Sequence, residues 1–353
     1  MVQRGDIKAT NLFREIHEQP RVLSRLLKKS GDPIRRIADE LARRDIGWLF
    51  IAARGTSDNA ATYAKYLFAS VNRLPTSLAA PSLYTVYRRP PRLANALVIG
   101  ISQSGEALDV LEVVKKGKAQ GNPTLAITNN PSSPLAKAAD FSIDIDVGTE
   151  QSVAATKSYT AQLTALAALS SCLSGDEARM ESLKAVPDLV RQALSLEEEI
   201  AQVVQRYRYM DSCAVLARGF NYANAFEFSL KLKELTYVVA EPYSSVDFLH
   251  GPIAIIETGF PVFLIAPKGK VSPGLLDLTS KLAERGSEIV SISNDRKLLS
   301  KSTRAFRLPG DMQEWFSPIP AIVPAQLFSM YLSAAKGYHP DRPRGLKKIT
   351  LTR

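Results

Sequence analysis

The chain has 353 residues, 45% hydrophobic and 23% charged, a globular composition with room for two domains and their cores. The longest apolar stretch, 161–173, is broken by Gln162, Thr164, Ser170 and Ser171, and the first residues carry no apolar signal core; neither a membrane span nor export is expected. The net charge of +10 comes from scattered basic residues that concentrate only between Lys336 and Arg353, without interleaved aromatics or zinc-finger spacing; this reads as a solvated basic surface or an attraction to small anions, not as a nucleic-acid interface.

Residues 1–30 read as a peripheral helical segment in which FREIHEQP ends at Pro20, with His17 a packing or surface residue. Trp48–Ala53 has strand length and is followed by Arg54-Gly55-Thr56-Ser57-Asp58, a polar loop, and by a helix over Asn59–Ala69. Thr76–Ala79 reads as a short strand and Pro81–Pro91 as a loop. Ala96–Ile101 is an apolar strand that runs straight into Ser102-Gln103-Ser104-Gly105-Glu106, after which Leu108, Leu111, Val113 and Val114 continue among charged residues as an amphipathic helix that stops at Gly121. A loop between the carboxyl end of a strand and the amino end of a helix presents unpaired N–H groups and a positive dipole end. With two hydroxyls and an amide it suits a phosphate, although a serine-capped loop of any α/β protein would look the same.

Strands follow at Thr124–Ile127 and Phe141–Ile145, then a loop at Gly148–Lys157 and a long apolar helix at Ser158–Leu173. Cys172 and Cys213 stand in apolar surroundings and read as thiols of a cytoplasmic protein, not as a disulfide or a metal pair. Strands alternating with helices, each strand almost wholly apolar, imply an α/β fold with a parallel, doubly wound sheet covered on both faces. Helices over Asp176–Tyr207 carry the domain boundary. Beyond them the pattern repeats: 164 residues separate Ala53-Arg54-Gly55 from Ala217-Arg218-Gly219, and 165 separate Gly121 and Asn129 from Gly286 and Asn294. A repeat of that length means two copies of one αβα domain. The second copy has Ala266-Pro267-Lys268-Gly269 in place of the hydroxyl-lined loop, so an anion is expected in the first copy.

The segments RGTS, ISQSGE and SVAATK resemble the phosphosugar-binding motifs of the sugar isomerase (SIS) domain. With FREIHEQP, LKLKELTYVVAE, LHGPIAII, VPAQL and DRPRGLKKITLTR, they make nearly the whole chain similar to the isomerase half of glucosamine-6-phosphate synthases. The likeness to glutaminase-free, SIS-type glucosamine-6-phosphate deaminases is closer still, through ARGTSDNAA, AAPSLYTVY, ISQSGE and SVAATK. The resemblance implies two tandem SIS domains, over 31–180 and 181–340, and a catalytic tail over 341–353. Val2 stands where a glutaminase would carry its cysteine, so glutamine-dependent chemistry is not expected.

The resemblance also assigns roles. Lys231 and Glu234 lie three apart on one helix face, which composition alone would read as a solvated face with a Glu227–Lys231 pair. By resemblance Glu234 moves a proton between C1 and C2 of the open-chain sugar, with Lys231 assisting. His250 opens the ring and comes from the partner subunit of a homodimer. Lys348 forms an imine with the ketose phosphate, beside Lys347, where the synthases have a small residue. Sugar and phosphate contacts carry over to Gly55, Thr56, Ser57, Ser102, Gln103, Ser104, Val153 and Ala154. Ala107 and Ala155 depart from a phosphate-binding threonine and a serine, and Arg54 replaces a small residue or cysteine. No metal or organic cofactor is implied. The expected reaction converts glucosamine 6-phosphate to fructose 6-phosphate and ammonia. The alternatives are its reversal with free ammonia or a separate glutaminase, deglycation of a phosphosugar–amino acid adduct, and non-catalytic phosphosugar sensing.

Overall fold

The computed structural model describes residues 7–310 and 312–348. A helix, α1, covers Asn11–Ala42 and runs through Pro20 and Pro33. The expectation that the first helix stops at Pro20 was therefore wrong. A proline inside a helix costs about 3 kcal/mol. Here Leu12, Ile16, Gln19, Leu23, Leu26, Ser30, Ile34, Ala38 and Leu41 form a buried stripe at three- and four-residue spacing. Each large apolar side chain in such a stripe contributes about 1.5–3 kcal/mol, which outweighs both prolines.

The chain forms two compact units. Among the described residues, one holds 21–150, 157–185 and 347–348; the other holds 7–20, 151–156, 186–310 and 312–346. In the first unit, β1 (Trp48–Ala52), β2 (Thr76–Leu78), β3 (Ala96–Ile101), β4 (Thr124–Thr128) and β5 (Phe141–Asp144) pair in parallel in the order β2-β1-β3-β4-β5. In the second unit, β6 (Ser212–Ala217), β7 (Val239–Ser244), β8 (Pro261–Ile265), β9 (Glu288–Ser293) and β10 (Arg304–Arg307) pair in parallel in the order β10-β9-β8-β6-β7. Read from β6, this is the same winding as the first sheet. All six residues of β3 are buried, as expected for a central parallel strand covered on both faces.

The helices after β1 and β3 are α2 (Thr56–Leu67) and α3 (Leu108–Ala119), and α4 (Lys157–Leu173) completes the covering of the first sheet. α3 sits tightly on β3. A Cβ at Gly117 would fall 2.7 Å from Val98, and one at Gly100 would fall 2.8 Å from Val114. In the second unit, α5 (Tyr222–Thr236), α6 (Ser272–Glu284) and α7 (Pro318–Ala335) occupy the corresponding chain positions. The Pro81–Pro91 segment contains one helical turn, Ser82–Thr85. Cys213 is buried and Cys172 half-buried; both are free thiols. No helix among the described residues is long and apolar enough to cross a membrane.

Candidate active site

In a sheet wound 2-1-3-4-5, the order in which strands are added reverses between β1 and β3, and ligands bind off the carboxyl ends of those strands. The two loops at that point are Arg54–Ser57 and Ser102–Glu106. Gly55 at φ +52° turns the first into α2. Gly105 at φ +69° turns the second, and no other residue fits there: a Cβ would fall 2.1 Å from Ser133 Oγ. The Gly105 amide donates to Ser102 Oγ at 3.1 Å and the Glu106 amide to Ser104 Oγ at 3.2 Å. As acceptors of these bonds, both serines keep their own hydroxyl hydrogens to give to an anion. The Gln103 carbonyl is fixed by the Asn129 amide at 3.0 Å, which holds the loop to β4.

Ser102 and Ser57 are buried. Ser57 Oγ accepts from Gln162 on α4 at 2.9 Å, so this hydroxyl is turned into the protein. Arg54 Nε donates to Asp109 at 2.6 Å; the arginine is half exposed and the carboxylate buried. Ala107 caps α3 without a side-chain hydrogen bond. Asp58, in the first turn of α2, is pushed up by burial, with Arg54 pulling the other way.

A cavity of about 470 Å³ opens beside the serine loop, lined by Gln103, Ser104, Asn129, Asp144, Asp146, Gly148, Thr149, Glu150 and Lys348. Lys348 Nζ lies 2.9 Å from Glu150 Oε2, whereas Lys347 is exposed. Glu150 has no exposed side-chain surface and also accepts the Ser158 amide at 3.1 Å and hydroxyl at 2.8 Å. Sequence reasoning missed Glu150, although the repeat pointed to it: 164 residues on stands Glu314, in the second unit. There Glu314 takes the Lys270 amide at 2.9 Å and fills the space beside Gly269. The second copy's loop thus already holds a carboxylate of its own chain, whereas Glu150 is held by α4 and Lys348.

Val153 and Ala154 belong to the second unit, where buried Glu15 accepts the Ser152 amide at 3.2 Å and also takes that of Gln151. α5 carries the remaining set. Lys231 Nζ lies 2.5 Å from Glu234 and 3.5 Å from Glu227. Glu227 and Lys231 are buried, so the solvated face that composition favoured is instead an interior one, and only Glu234 keeps some exposure, at 21%. The buried Lys231 ammonium between the two carboxylates holds the Glu234 side chain in place. His250 ends the Ser245–Leu249 helix and is exposed. His17 is packed, with Phe13 stacked on its ring at 4.0 Å and Glu197 2.7 Å from Nε2. No three of the described His, Cys, Asp and Glu residues converge as a metal site requires. Tail residues 349–353 lie outside the described residues.

The SIS-domain family model matches residues 44–171 and 210–336. The chain belongs to the SIS-domain family, as a tandem pair of phosphosugar-isomerase-type domains. It is 35% identical over 340 residues to a glutamine–fructose-6-phosphate aminotransferase (isomerizing) of Aquifex aeolicus, covering 96% of this chain and 57% of that protein. A second such enzyme, from Thermococcus kodakarensis, is 34% identical over 346 residues. The chain therefore spans little more than half the length of these relatives. Among solved structures, the C-terminal domain of glucosamine-fructose-6-phosphate aminotransferase from Francisella tularensis superposes with a TM-score of 0.87 at 29% identity, over 95% of this chain and 98% of that one. A glucosamine-6-phosphate deaminase from Thermotoga maritima shares the fold at 22% identity, with a TM-score of 0.77.

Proposed function

We propose that the chain is an amino-sugar phosphate isomerase/deaminase that converts glucosamine 6-phosphate and water to fructose 6-phosphate and ammonia. One observation carries this reading: the Lys348 amine lines the same cavity as Gln103 and Ser104 of the anion loop. A phosphosugar held there by its phosphate would place a carbonyl within reach of a nucleophilic amine. Ser102, Gln103 and Ser104, with Gly55 and Thr56, hold the phosphate and sugar; Ser57, Val153 and Ala154 support these contacts. His250 opens the ring. Glu234, held by Lys231, takes the proton from C2 and returns it at C1. Lys348 displaces ammonia from the resulting imine, and water then releases the ketose. The working unit is a homodimer in which His250 serves the partner's site.

The names of the relatives favour a second reading, synthesis of the amino sugar, with ammonia supplied freely or by a separate subunit. Incubation with a panel of 6-phosphosugars, assayed for ammonia and ketose phosphate in both directions, separates the two. Ammonia release from glucosamine 6-phosphate is expected. Release of an amino acid from a phosphosugar adduct would make the protein a deglycase, and tight binding without turnover would make it a sensor.

A further inference from the structure

We propose that Glu150 is a catalytic residue: it takes the proton from the Lys348 ammonium as the amine adds to C2 and returns it to the leaving group, ammonia in the deamination and hydroxyl where the imine forms from the ketose. This rests on the imine reading of Lys348 given above. A lysine ammonium cannot attack a carbonyl, and the group best placed to accept its proton is the Glu150 carboxylate, 2.9 Å from Nζ. Glu150 is fully buried and fixed by the Ser158 amide and hydroxyl at the start of α4, so it cannot follow the lysine into solvent. The other charged groups facing the cavity are otherwise engaged or placed. Asp146 pairs with Arg25 and Lys29, each at 3.0 Å. Lys157, which is outside the cavity lining, donates from Nζ to the Thr149 carbonyl at 2.7 Å. Asp144 accepts the Asp146 amide at 2.8 Å.

The step balances. The ammonium gives one proton to Glu150, and the free amine forms a C–N bond with the ketose C2 and yields a carbinolamine. The C–O bond then breaks, and the hydroxyl leaves as water with the proton from Glu150. The net change is ketone plus ammonium to iminium plus water, and the carboxylate is restored.

Borohydride trapping of Lys348 with fructose 6-phosphate tests this, read by the mass of the tail peptide. Glu150→Gln keeps the shape, and its amide oxygen can still accept the Ser158 amide. If Glu150 served only as a counter-ion, its removal would free more amine and trapping would be as fast or faster. If it carries the proton, trapping slows by about a hundredfold. The residual rate then climbs about tenfold per pH unit, as for an unassisted amine, while the wild type stays flatter. Glucitol 6-phosphate, which has no carbonyl, should protect both proteins from thermal unfolding equally and so report an intact phosphate site. Trapping of Glu150→Gln at the wild-type rate overturns the role of Glu150 alone. Loss of glucitol 6-phosphate protection would assign Glu150 to building the site and overturn it as well. Absence of any wild-type adduct overturns the imine reading itself.

Discussion

Glu234 sits on α5 one turn beyond a lysine that is itself buried, and it is the member of the Glu227–Lys231–Glu234 row with an open side. Glu234→Gln keeps the shape and removes the proposed base, so isomerisation should fall by roughly two to four orders of magnitude with sugar binding retained. Exchange of the C2 proton with solvent, followed by NMR, checks this; a wild-type exchange rate would move the role elsewhere. On the proposed reading Ser102 and Ser104 hold the phosphate, a remote part of the substrate, and a remote handle sets binding more than chemistry. Their joint change to Ala should raise KM for phosphorylated sugars far more than it lowers kcat. An unchanged KM would shift the phosphate toward Thr56, since Ser57 already bonds Gln162.

At the scale of elements, what the sequence disclosed and what it hid have one physical division. β3, the serine loop and the core-facing residues of α3 were legible because apolar runs, glycine and hydroxyls are local signals. The course of α1 was not, because a proline reads as a stop unless the burial of the rest of the helix is known. Nor were Glu15, Asp109 and Glu150, whose work is done on partners 136, 55 and 198 residues away. The seat of α3 on β3 makes a prediction. Ala is the better helix former by about 1 kcal/mol at an exposed helical glycine. At Gly117 its methyl would meet Val98 at 2.7 Å, and overpacking costs about 1–3 kcal/mol. Gly117→Ala should therefore lower the midpoint of thermal unfolding, and a raised midpoint would show that β3 can yield. Ala107→Thr should act in the opposite direction, adding an N-cap bond of about 1 kcal/mol to α3 and lowering KM for phosphosugars through one more hydroxyl.

At the scale of the whole chain, two sheets of one winding have diverged at their loops. The first keeps an open hydroxyl loop and a lysine-bearing cavity, and the second closes its loop with Glu314. A chain with an open hydroxyl loop on one copy and an exposed histidine on the other suits a site completed across a two-fold axis, which is the homodimer proposed above. The test is complementation. His250→Ala and Lys348→Ala should each be inactive alone. If His250 serves the partner's site, a mixed dimer has one site lacking both groups and one lacking neither. Mixing under conditions of subunit exchange should then recover activity, up to about one quarter of wild type per site when exchange is random, because half the dimers are mixed and half their sites are intact. Exchange is verified by native mass spectrometry. Verified exchange without recovery would place both residues in the service of their own chain, because every site in every dimer would then lack one of them.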